Sequence, residues 1–187
     1  MKYTLLALTA FALVAFPHLG LAHEHQIFKI GANYYDFTVG SLNEPIVVDD
    51  KTGVDVRVMK VGAPTHGHDE AAHTETGTPV TGLDTTLKVE LSAGTEKKTL
   101  DLRPAFNNPG AYTAPFYPTV DTTYTYRVFG TLNDIPVDLS FTCNPAGHPQ
   151  VEEDTSTVEI SEGVMRVGKR GAFSCPVAKA DLGFPEP

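Results

Sequence analysis

The chain reads as an all-β protein, an immunoglobulin-like antiparallel β-sandwich of about seven strands with a disulfide-pinned C-terminal tail. Three observations lead there. Apolar and polar residues alternate at period two in segment after segment, Gly, Pro, Asn and Asp recur between the segments, and no convincing amphipathic helix appears. A small Greek-key barrel would satisfy the same pattern.

In chain order, HEHQIFKIGANYYDFTVGSLNEP is read as a strand through Tyr35, Phe37 and Val39. GVDVRVMKVG follows, alternating Val54, Val56 and Val58, and then comes a histidine-rich loop over residues 62–78, closed by the turn signals of TGTPVTGLD. TTLKVELSAG and KKTLDLRPAF are two alternating strands around a Gly-containing turn, a hairpin. Further on, Tyr124, Tyr126 and Val128 alternate with Thr125 and Arg127. Asn133-Asp134 then supplies a turn, and Val137, Leu139 and Phe141 alternate with Asp138 and Ser140. Arg127 and Asp138 are expected to pair across that turn, at a few tenths of a kcal/mol. Tyrosines at strand spacing are read as packing residues. The sandwich is thus expected over residues 23–144. Residues 145–187 are read as an acidic linker, with Glu152, Glu153 and Asp154 in a row, followed by a strand pair, TVEIS and VMRVG, and a tail.

The first 22 residues, MKYTLLALTAFALVAFPHLGLA, have the layout of a secretory signal peptide: Lys2, an apolar core over 4–16, and small residues ending at Ala22. The apolar run is short of the roughly 20 residues that span a bilayer. The expected location is therefore periplasmic or secreted, with no membrane span after cleavage. Removing Lys2 and no acid takes the formal net charge from −9 to −10, which disfavours nucleic acid and favours cations as partners. In an oxidising compartment Cys143 and Cys175 default to a disulfide, closing a loop of about 30 residues and stabilising the fold by roughly 3–4 kcal/mol. Phe173 and Phe184 are expected to cover an open sheet edge. The alternative makes Cys143 a thiolate ligand beside His148 in CNPAGH, as in a cupredoxin-like electron carrier, although no Met follows at blue-copper spacing.

Two histidine clusters carry the candidate chemistry. Cleavage after Ala22 would start the chain at His23-Glu24-His25, where the amine, two deprotonated amides and the His25 imidazole offer four in-plane nitrogens to Cu(II) or Ni(II). His23 alone could also chelate copper through its amine and ring. The second cluster is THGHDEAAHTE, where His66, His68 and His73 stand among Asp69 and Glu70, a donor set suited to Cu, Ni or Zn. The plainer readings are a frayed terminus and a solvated acidic loop. No nucleophile elbow, HExxH, P-loop or dinucleotide fingerprint occurs, so no enzymatic activity is expected.

PVTGLDTTLKVEL followed by PGAYTAPFYPTVDTTYTYRVFG resembles the YtkA-like pattern of exported immunoglobulin-like domains, over roughly residues 33–142. A processed start at His23 is similar to that of the periplasmic copper-resistance carriers. That resemblance implies a small β-sandwich binding Cu(II) through its N-terminal histidine, here His23, with further His or acidic ligands. The carriers' other ligands have no matching position, and the acidic linker and FSCP tail depart from their pattern. The functional expectation is a non-enzymatic transition-metal protein that buffers or delivers Cu(II), with Ni(II) or Zn(II) as alternatives, to an envelope protein that receives the metal. The competing expectation is a structural or interaction module of the cell envelope with incidental histidines.

Overall fold

A side chain that alternates at period two places every second residue on one face of its strand, so each strand here can bury only half of its residues. The computed structural model describes residues 23–64, 77–145 and 154–183, and within them the chain forms twelve strands. These are β1 (His23–Ile30), β2 (Asn33–Ser41), β3 (Thr52–Val61), β4 (Thr78–Pro79), β5 (Leu87–Ala93) and β6 (Glu96–Asp101). They continue with β7 (Arg103–Pro104), β8 (Ala111–Phe116), β9 (Tyr124–Leu132), β10 (Ile135–Thr142), β11 (Val158–Ser161) and β12 (Val164–Gly171). Two antiparallel sheets result. One has eight strands in the order β11-β12-β1-β2-β3-β8-β7, with β4 also pairing with β3, and the other has four in the order β10-β9-β5-β6.

The two inner faces meet in one apolar core. Phe28, Phe37, Val39, Val54, Val56 and Val58 come from the larger sheet, and Val89, Tyr126, Val128, Leu139 and Phe141 from the smaller. The alternation gives each antiparallel sheet one apolar face, and the two faces are buried against each other. The β9–β10 hairpin turns on Asn133 and Asp134, both with positive φ (50° and 64°), the conformation a two-residue primed turn requires. Asn133 Nδ2 then donates to Tyr35 Oη at 2.7 Å, tying the turn to the other sheet. The β5–β6 hairpin forms as expected. So does the Arg127–Asp138 pair, which is bidentate with both bonds at 2.7 Å.

Three expectations change. HEHQIFKI and NYYDFTVGS are two strands, since Gly31 at φ 59° reverses the chain between them. Residues beyond Asn144 do more than link and trail: β12 lies between β11 and β1 and pairs with Glu24–Ile30. The three basic residues of VMRVGKRG and a bulge opposite Ile27 and Phe28 blur its alternation. Phe173 is a core residue, stacked on Tyr126 at 4.9 Å, instead of an edge cover, because the Cys143–Cys175 disulfide (Cα–Cα 4.9 Å) draws the chain inward. Phe184 lies outside the described residues.

Gly130, at φ 139°, passes against the Thr86 carbonyl, which accepts from Thr131 N at 3.0 Å. A Cβ there would overlap that carbonyl oxygen. Gly130→Ala is expected to destabilise the fold by at least about 2 kcal/mol, read as a lower urea midpoint.

Candidate functional site

The alternation of β1 decides where its histidines go. Counting back from Ile30 and Phe28, the inward positions are Gln26 and Glu24, so His23 and His25 share the outer face with Ile27 and Lys29. Far from a frayed end, β1 is flanked by β12 on one side and β2 on the other. The amides of Glu24 and His25 therefore sit inside a sheet ladder. A four-nitrogen chelate needs those amides deprotonated and wrapped around the metal, so that chelate and this strand exclude each other.

What the strand does offer is side chains. His23 Nε2 lies 3.1 Å from Asp55 Oδ2, although the two residues are on β1 and β3. Register explains the reach: Gly40 of β2 stands opposite both His23 and Asp55 and places no side chain between them. His25 Nδ1 lies 3.3 Å from Asp36 Oδ2 and 3.1 Å from Thr38 Oγ1, both on β2, with Arg170 Nη2 of β12 at 3.5 Å. All four acid and histidine side chains are more than two-thirds buried, yet each still reaches solvent. Neither Asp36 nor Asp55 was identifiable as a partner from local sequence, since they are 11 and 32 residues from their histidines. Only the register brings them together.

Beneath this face the start of β1 is polar on the inside as well. Glu24, 2 % exposed in its side chain, meets Lys169 Nζ at 3.1 Å and accepts from Gln26 Nε2, which also donates to the Ser140 carbonyl at 3.2 Å. A buried carboxylate is tolerable because it is paired and hydrogen-bonded. Nearby, Glu44 accepts from Ser174 N at 2.9 Å and Ser174 Oγ at 3.2 Å, beside the disulfide. Burial holds its carboxyl above the usual range, against the pull of the Ser174 bonds and the His23 charge. A carboxyl raised on folding binds its proton more tightly in the folded chain. Its contribution is therefore fully present below the ordinary carboxyl range and is lost as pH rises through the raised value. Glu44→Gln, which keeps an acceptor for Ser174 N–H, is expected to flatten that loss in urea-unfolding stability measured from about pH 4 to 7.

His66, His68, His73, Asp69, Glu70 and His148 all lie outside the described residues. Among the described residues no group of three or more His, Cys, Asp and Glu side chains is arranged to hold a metal ion, and no helix is long and apolar enough to cross a membrane. Cys143, being in the disulfide, is not a thiolate ligand there, which removes the cupredoxin-like arrangement. No family model matches the chain, and neither a curated protein nor a solved structure does.

Proposed function

We propose that this chain is an exported, non-enzymatic protein that binds a transition-metal ion, Cu(II) first and Ni(II) or Zn(II) as alternatives, and buffers or delivers it to an envelope protein. The observation that carries the reading is the placement of His23 and His25 on one face of a strand inside the sheet, each against a carboxylate. Residues two apart on one face of a strand stand about 7 Å apart, near enough for two imidazoles to address one ion. Imidazole is a ligand suited to Cu, Ni and Zn. The remaining coordination at β1 is assigned to solvent, and the histidine-rich stretch 66–73 is proposed as a second binding segment. After cleavage at Ala22, His23 would add its own amine, a chelate that needs no downstream amide and is compatible with the strand. The resemblance to copper-resistance carriers points the same way, and the disulfide suits an oxidising compartment.

Equilibrium dialysis against Cu(II), followed by metal analysis, tests this. The His23→Ala/His25→Ala double variant and a deletion of residues 66–73 are each expected to lower the copper bound per chain while the far-UV circular dichroism keeps its strand signature. Unchanged copper content in both would overturn the reading.

A further inference from the structure

The two histidine–aspartate pairs on the outer face of β1, β2 and β3, His23 with Asp55 and His25 with Asp36, join side chains that differ in what they can do to a proton. A carboxylate only accepts, so the ring nitrogen that faces it at hydrogen-bond distance carries the hydrogen. For His23 that nitrogen is Nε2, facing Asp55 Oδ2 at 3.1 Å, and the lone pair is left on Nδ1. For His25 it is Nδ1, facing Asp36 Oδ2 at 3.3 Å, and the lone pair is left on Nε2. Thr38 Oγ1 accepts from the same N–H as readily as it donates, and Arg170 Nη2, which only donates, is the most distant of the three groups around that nitrogen. Among the described residues Asp36 Oδ1 is buried and accepts no hydrogen bond, so Oδ2 and its imidazole are that carboxylate's hydrogen-bonded side.

We propose that Asp55 and Asp36 are positioning residues that fix opposite tautomers in the two histidines, so that His23 presents Nδ1 and His25 presents Nε2 to a divalent transition-metal ion. This rests on the metal-binding reading above and adds to it the ligand atoms and the residues that set them. A metal-bound imidazole becomes a stronger donor through its other N–H, and a carboxylate placed there both orients the ring and raises its basicity as a ligand. Gly40 is part of the device. It stands opposite both His23 and Asp55 and carries no side chain, so the His23 ring reaches a carboxylate two strands away.

The test begins without metal. Long-range proton–nitrogen correlation spectra of the ¹⁵N-labelled protein, at about pH 8 where imidazoles in general are neutral, report each ring's tautomer. His23 is expected as the Nε2–H form and His25 as the Nδ1–H form, with Asp55→Ala releasing the first and Asp36→Ala the second to the mixture of a free imidazole. Titration with Zn(II), which keeps the spectra readable, is then expected to show an affinity about 10–100-fold lower in each aspartate variant. Asp55→Asn and Asp36→Asn, which preserve side-chain size, guard against a folding defect and are expected to weaken Zn(II) binding in the same direction. Wild-type tautomers and Zn(II) affinity in the aspartate variants, alongside lost binding in His23→Ala and His25→Ala, would overturn the positioning role and leave metal binding standing. Undiminished Zn(II) binding in the histidine variants would overturn the β1 site and the positioning role together.

Discussion

Phe173→Ala is expected to destabilise the fold by about 3–5 kcal/mol, the range for emptying an aromatic site in a packed core, and to lower the melting temperature by about 10 °C or more. The ring is fully buried and lies nearly parallel to Tyr126, centroids 4.9 Å apart at 20°. Tyr126 in turn meets Phe116 edge-on at 6.0 Å and bonds Ser41 Oγ through its hydroxyl at 2.9 Å. Removing one ring of this group leaves a cavity against Tyr126 that the two sheets, tied by their strand ladders, can close only in part. Calorimetric melting of the variant checks it. A loss below about 1 kcal/mol would mean that the segment after β12 is appended to the sandwich and not part of its core.

The double substitution Cys143→Ala/Cys175→Ala is expected to cost about 3–4 kcal/mol by the loop-closure account, for a separation of 32 residues. Both cysteines are buried, and the bridge joins the end of β10 to the segment that leaves β12. On either side of the bond, Asn144 N donates to the Phe173 carbonyl at 2.8 Å and Cys175 N to the Asn144 carbonyl at 3.1 Å. The disulfide and the Phe173 ring thus hold the same stretch of chain. Their losses should not add: the triple variant is expected to fall short of the sum, because once either tie is cut the other holds less. Guanidinium unfolding of the single, double and triple variants measures the coupling. Full additivity would mean the two act on separate parts of the structure.

How much was legible in the sequence follows from which interactions are local. Alternation is a local signal, and it located most strands, the Asn133-Asp134 turn and the inward tyrosines Tyr124 and Tyr126. Two cysteines admit one pairing, and that pairing forms. Sheet order is not local. Nothing near VMRVGKRG indicates that β12 lies against β1, and so nothing indicated that His23 and His25 are enclosed by strands on both sides. The inward direction of Glu24 was within reach, by counting back in twos from Phe28 and Ile30, but Asp36 and Asp55 become the histidines' neighbours only through the β1–β2–β3 register. A four-nitrogen chelate at the terminus requires those residues to be a free peptide. In a strand, their amides already have a use.

We propose that the imidazoles of His23 and His25, held on β1, bind the metal through side chains. The most direct measurement is the electron paramagnetic resonance spectrum of the protein purified from its native host, its first residue established by intact mass, at one equivalent of Cu(II). The expected result is a mixed nitrogen and oxygen signal that loses nitrogen couplings in both His23→Ala and His25→Ala, with the circular dichroism unchanged. A signal identical in both variants would contradict it, and so would a four-nitrogen signal that appears as strand content falls, since that would mean the metal takes the backbone after displacing the sheet.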